Sequence, residues 1–279
     1  EIDGAIIKNS SISQTQNIKG IMGLGNVTIT SNTIDGTAWG IYATNNSTVS
    51  GNIVTRTGRP LLLTQAWSDT IGDGYTLTAS GNTIMDSGVV EINCYKSESI
   101  VILDQNIIIG GSGVFIDCFP FNYPGNVTIS NNTIADNSGY GIRFGNNNVQ
   151  ATVTGNRIHG NGISLFDEKT NPSVPPSTFQ YNSITDASVQ LYQAELNFTN
   201  NNIIVGDQTY IVQTLTQYSE DASLNFQNNW WGTTDTTNLD TLISDWNDNA
   251  NIQQIDYTPF LTTPDTTAPP APPANVAAQ

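Results

Sequence analysis

Apolar and polar positions alternate in short bursts along this chain, and the bursts return with one fixed punctuation. The unit is apolar-x-apolar-x-x-Asn-x-apolar. It reads Val27-Thr-Ile29-Thr-Ser-Asn32-Thr-Ile34, and almost unchanged Val127-Thr-Ile129-Ser-Asn-Asn132-Thr-Ile134. The anchor falls at Ser10, Asn32, Asn52, Asn82, Asn106, Asn132, Asn156, Asn182, Asn201 and Asn229, with spacings between 19 and 30 residues. A period of two marks a half-buried strand. Repeats of this length with such scatter mark stacked units joined by connections of variable length, not a domain with one centred core.

A second alternating stretch follows most anchors, as in Ile41-Tyr-Ala43, Val90-Glu-Ile92-Asn-Cys94, Val114-Phe-Ile116-Asp-Cys118 and Ile142-Arg-Phe144. Gly often precedes it, at Gly88, Gly113, Gly141 and Gly162. No segment before residue 236 has helical periodicity over two full turns. Each unit is therefore expected to be two or three short strands with tight corners. Such a unit cannot bury its apolar face alone and must coil onto its neighbours. Ten coils at the strand spacing would make a rod of roughly 48 Å. Asn suits the corner because it tolerates left-handed backbone angles. Its amide also carries a donor and an acceptor, so stacked anchors are expected to bond in a ladder.

The tail adds Asn228-Asn-Trp-Trp-Gly232, then Leu239, Leu242, Ile243 and Trp246, then Ile255-Asp-Tyr-x-Pro259-Phe-Leu261. With the Asn-x-Ile repeats, this resembles right-handed parallel β-helix proteins of the pectate-lyase-like superfold. Within that group it is similar to the carbohydrate-associated and copper-maturation-type repeat domains of secreted microbial proteins. The resemblance covers residues 1 to about 261. It implies an all-β, right-handed parallel β-helix of about ten coils with an Asn ladder. It leaves function open, because this fold hosts lyases, hydrolases, epimerases, adhesins and binding modules.

A solenoid needs caps. Leu239, Leu242, Ile243 and Trp246 lie at i, i+3, i+4 and i+7, which predicts a capping helix over about 238–247 with Thr236 or Thr237 at its N-cap. Residues 262–279 are Pro/Thr-rich and read as a linker toward a missing or neighbouring module. At the other end Ile2, Ala5 and Ile7 start a coil at once; two readings stay open, an exposed end that invites head-to-tail self-association into filaments or a cap lying upstream of Glu1.

Composition narrows the setting. The chain of 279 residues has a net charge of -16 with eight Lys plus Arg, and charged residues are only 11%. That argues against nucleic acid, which needs a basic patch. No run of 18 apolar residues exists to insert in a membrane. Seven Asn-x-Ser/Thr sequons point to an extracellular or cell-surface protein, with Asn26, Asn45 and Asn126 the glycosylation candidates at corners. Cys94 and Cys118 share one offset from their anchors, so they are expected to stack in adjacent coils, as a disulfide or as two buried thiols.

Candidate chemistry is sparse. The outward phase of the second stretch gives Tyr42, Asn93, Asp117, Arg143, Ser164 and Gln190, with Glu91 beside Asn93. Asp117 and Arg143 lie eleven residues after their anchors, so they are expected to stack. Tyr95, Phe119, Phe121 and Tyr123 could add stacking surfaces for a sugar. Three readings stay open for Glu91, Asp117 and Arg143: a surface ion pair, a glycan-binding face, or the catalytic residues of a polysaccharide lyase or glycoside hydrolase. His159 reads as a solvated corner residue with no carboxylate nearby in sequence. No metal or cofactor site is expected, although Asp69-Thr-Ile-Gly-Asp73-Gly could form a calcium turn. Its two carboxylates fall short of the six to eight oxygens calcium takes. The leading reading is a structural, surface or adhesive module that self-associates or joins neighbouring domains. Glycan binding or processing is the alternative.

Overall fold

The computed structural model describes residues 4–13, 18–64, 75–94, 99–118, 125–145, 149–160, 162–166, 175–192, 196–204, 206, 211–215 and 224–271. Three parallel sheets of eleven, nine and ten strands run its length. One coil shows the plan. Thr28–Thr30 joins the first sheet, Thr33–Asp35 the second and Trp39–Thr44 the third. Each strand pairs with its counterpart in the next coil, with Ile29 opposite Val49, Ile34 opposite Val54 and Ile41 opposite Leu61. The repeat is therefore a three-sided parallel β-helix, and the alternation in each burst separates an inward column from outward ones.

The inward columns make one continuous core. On the first sheet Ile29, Val49, Ala79, Leu103, Ile129, Val153, Phe179 and Phe198 follow one another, all fully buried. Toward the C-terminal end the core becomes aromatic. Ring centroids lie 5.9 Å apart for Phe144–Phe179, 5.6 Å for Phe179–Phe198, 4.7 Å for Phe198–Phe226 and 6.4 Å for Phe226–Trp231. Stacked and edge-on rings at these distances add about 0.5–1.5 kcal/mol per pair beyond the area they bury.

The anchors form the expected ladder. Asn32 Nδ2 donates to Asn52 Oδ1 at 2.9 Å, and the same bond recurs from Asn52, Asn82, Asn106, Asn132, Asn156, Asn182 and Asn201 to the next anchor. Each Oδ1 also accepts the backbone N–H of the preceding anchor, as Asn106 N to Asn132 Oδ1 at 2.8 Å. The same amide donates to a main-chain carbonyl in the coil before, as Asn132 Nδ2 to Leu103 O at 2.8 Å. At the last rung Asn229 keeps the bond to the coil before, at Phe198 O, and donates to Phe226 O where a next anchor would stand. At the first, the N–H of Ser10 donates to Asn32 Oδ1.

One expectation about this corner needs correction. The left-handed residue is not the anchor but the one before it: Asn9, Ser31, Gly51, Gly81, Gln105, Asn131, Gly155, Tyr181, Asn200 and Asn228 all have φ between 54° and 67°. The turn needs one left-handed residue to redirect the chain. The anchor is then free to aim its amide along the rod axis. Close approach explains glycine at the opposite corner, where a Cβ on Gly88 would sit 1.7 Å from the carbonyl oxygen of Gly58.

The C-terminal cap is shorter than its apolar stripe suggests. The helix spans Thr236–Leu242, and its N-cap is Asp235, whose carboxylate accepts from the N–H groups of Thr237 and Asn238. Leu239 is buried, but Ile243–Ser244 leaves the helix and pairs with Val212–Gln213 as a further third-sheet strand. An open sheet edge offers β-branched Ile243 backbone partners that a helix end lacks. Trp246 is consequently 51% exposed rather than part of a helical stripe. Buried Asp245 fixes the turn that follows, accepting from the N–H groups of Asn247 and Ile255 at 2.9 Å each. Residues 262–271, which composition marks as a linker, lie back along the second sheet of the same solenoid. No helix among the described residues is long and apolar enough to cross a membrane.

Replacing Asn132 by Ala takes the acceptor from the Asn106 main-chain N–H and the side-chain donor from the Leu103 carbonyl in a dry interior. Unfolding free energy should fall by about 2–4 kcal/mol. Asn131→Gly, one residue away at φ 55°, should cost under about 1 kcal/mol, since Gly prefers that angle. Denaturant titration of the two variants checks this, and equal losses would refute the ladder's weight.

Candidate functional site

Most of the candidate chemistry lies on the outer face of the third sheet. Its strands differ in what they carry because only the inward positions are fixed by the core. One outward column runs Met22, Tyr42, Leu62, Glu91, Phe115, Arg143, Ser164, Gln190, Gln213 and Ser244. A second runs Leu24, Thr44, Thr64, Asn93 and Asp117. Asp117 therefore stands opposite Asn93, and Arg143 opposite Phe115, so the expected Asp117–Arg143 stacking is not what forms. The connection from Asn132 to Ile142 is two residues longer than that from Asn106 to Val114, and this shifts Arg143 to the other column. The Arg143 guanidinium lies over the Phe115 ring, 5.6 Å from its centroid. Gly145 leaves room for that ring, since a Cβ there would come within 2.6 Å of it.

Glu91 is already engaged. Its Oε2 lies 3.5 Å from Arg59 Nη1, and its Oε1 accepts from Asn93 Nδ2 at 3.0 Å. Arg59 leads to a group that the outward phase did not single out. Lys19, Trp39 and Arg59 stand in register at the start of three successive third-sheet strands. The Trp39 ring lies between the Lys19 ammonium, 5.7 Å from its centroid, and the Arg59 guanidinium at 4.9 Å. Tyr42 follows at 6.4 Å, tilted by 51°. The signal was present in the spacing, since Trp39 and Arg59 each lie seven residues after their anchors. It lay one step outside the alternating stretch. Tyr95, Phe119, Phe121 and Tyr123 lie outside the described residues, as do Asp69 and Asp73.

The corner between the second and third sheets carries a different pattern. Here the left-handed residues include Asp86, Asp136 and Asp186, while the coil after each has Gly110, Gly160 or Gly206 against that carboxylate. A Cβ on these glycines would sit 2.6, 3.2 and 2.1 Å from the facing Oδ1. His159 lies in this corner and is not simply solvated, with a side chain only 14% exposed. Stacking brings it two carboxylates that are distant in sequence, Asp136 Oδ1 at 3.7 Å from Nε2 and Asp186 Oδ2 at 3.5 Å from Nδ1. Thr185 Oγ1 lies 3.0 Å from Nδ1. Among the described residues no three His, Cys, Asp or Glu side chains converge as a metal site.

The remaining candidates separate by burial. Asn26 is exposed at a left-handed corner, Asn126 is half-buried, and Asn45 is 2% exposed. Cys94 stands opposite Cys118 in the ladder and is a buried free thiol.

A family model described as right-handed β-helix region matches residues 71–230, more than half of the chain. The chain belongs to this right-handed β-helix family. The matched stretch takes in about seven turns, and the coils before residue 71 continue the same three sheets. Neither the characterised proteins nor the solved structures compared with the chain give a match. Membership in the β-helix family carries the fold and not a reaction.

Burial raises the Tyr42 phenol above its ordinary value of 10.0. A folded pKa above the unfolded one means that its stability contribution is whole below about pH 10 and is lost as pH rises through the raised value. Tyr42→Phe keeps the ring and removes the ionisation. Thermal melts across the alkaline range should fall less steeply for the variant, and parallel curves would contradict this burial.

Proposed function

We propose that this β-helix is an extracellular adhesive module that holds a glycan along the outer face of its third sheet. The observation that carries the reading is the row Lys19–Trp39–Arg59 with Tyr42 beside it, continued by Glu91, Phe115 and Arg143. Cations, aromatic rings, an amide and a carboxylate alternate along one rigid surface at the coil spacing of about 4.8 Å. The charged groups carried on these rings offer a polyhydroxylated polymer hydrogen bonds, and the Tyr42 ring adds apolar surface. Both faces of Trp39 are taken by cations, so the guanidinium and ammonium groups present themselves with the ring as their support. Binding is favoured over cleavage because Glu91 is held by Arg59 and Asn93, and Arg143 by Phe115, which leaves neither poised as an acid or base.

Retention on a panel of immobilised polysaccharides is the direct test. Wild-type protein should bind at least one glycan, and Arg59→Ala and Trp39→Ala should each weaken it about tenfold or more with melting temperatures nearly unchanged. Wild-type protein that binds no polysaccharide, or variants that bind as well, would sink the reading.

The extracellular setting has its own check. Expressed in a host that glycosylates, the protein should carry glycan at Asn26 and none at Asn45, because a buried side chain cannot meet the transferase once the coil has formed. Peptide mapping distinguishes the two sites, and modification at Asn45 alone would oppose the assignment.

A further inference from the structure

Residues 262–271 have the composition of a linker but the contacts of a folded segment. Asn202 and Asp265 exchange two bonds: Asn202 Nδ2 donates to Asp265 O at 2.9 Å, and Asp265 N donates to Asn202 Oδ1 at 2.7 Å. The Asp265 carboxylate then accepts the N–H of Thr267 at 2.7 Å. Ala268 is buried, and Arg157 Nε donates to Pro270 O at 3.1 Å. Asn202, Ser183 and Arg157 are successive members of one outward column of the second sheet. The segment therefore crosses three coils, running back toward the N-terminal end, and Ser183 and Asn202 are buried although they point outward.

The composition explains why this docking is cheap. Pro264, Pro269 and Pro270 have no N–H to satisfy, and they restrict the free chain before it docks. Asp265 and Thr267 supply donors, and both are matched. The segment cannot join the sheet as a strand, so it lies across it. Few bonds hold it, whereas each coil is held by continuous ladders on three sides.

We propose that residues 262–271 form a latch that braces the coils anchored by Asn156, Asn182 and Asn201 and opens as a unit before those coils do. Opening breaks the Pro270–Arg157 and Asp265–Asn202 contacts together. It bares the outward faces of Ser183 and Asn202 while the Asn ladder beneath stays closed. A pull on the C-terminal side is thereby taken up by the latch before it reaches the cap.

Hydrogen exchange with mass spectrometry on the full chain tests this. In the wild type, Asp265 and Thr267 amides should be protected, yet exchange at least tenfold faster than those of the second-sheet strand Asn202–Ile204. Asn202→Ala should bring residues 262–271 to the rate of an unstructured peptide and raise exchange at Ser183–Thr185, with Ile53–Thr55 unchanged. Ala268→Arg alters only the latch and should do the same if Asn202→Ala fails to fold. Three results would overturn the proposal: an unprotected segment in the wild type, protection equal to that of the strands beneath, or protection unaffected by Ala268→Arg.

Discussion

The side-chain amide of the anchor asparagine is the interaction on which the rest depends. At the first corner the chain turns too tightly for its own peptide groups to pair within the coil. Each Asn there satisfies a carbonyl of the coil before through Nδ2, and its Oδ1 takes both the N–H and the amide of the preceding anchor. The side-chain amide carries two donor hydrogens as well as an acceptor oxygen, so it can pass a hydrogen bond along the axis and still satisfy a main-chain carbonyl. Because the ladder is dry, a missing rung leaves several groups unpaired at once. This all-or-none requirement fixes the first and second sheets in register while everything else varies.

What varies does so at the other corners. The chain between third-sheet and first-sheet strands is short at 45–47 and long at 65–75, yet the ladder pairs the same positions on both sides. Length changes between the anchor and the third sheet have a different effect, since they slide outward residues between columns. The extra residues before Ile142 move Arg143 from Asp117 to Phe115, and the candidate ion pair becomes a cation–aromatic contact.

That contrast sets how much could be read from the sequence. The fold was legible because its signal is repeated ten times, and the amide ladder because Asn has few other reasons to recur at one fixed offset. The left-handed residue was misplaced by one position, since Ser31, Gln105 and Tyr181 hide a column that glycine and asparagine would have announced. Ile243 carried a helical stripe that a sheet edge outcompeted. The site was harder. Counting from the anchor assumes equal connections, and that assumption fails between Asn132 and Ile142. The neighbours of His159, Asp136 and Asp186, are more than twenty residues away in each direction, so only stacking brings them together.

The aspartates of the second corner also settle how this rod meets its solution. Asp86, Asp136 and Asp186 are separated by coils carrying Gly110 and Gly160, so equal charges recur every second coil, about 9.6 Å apart. The screening length is about 8 Å at physiological ionic strength and about 30 Å at 0.01 M. In the first medium each carboxylate acts mainly on its own coil neighbours, as Asp136 and Asp186 do on His159 between them. In dilute buffer the same residues merge into one continuous negative line. Two copies brought edge to edge would then repel along this line, and added salt would relax the repulsion.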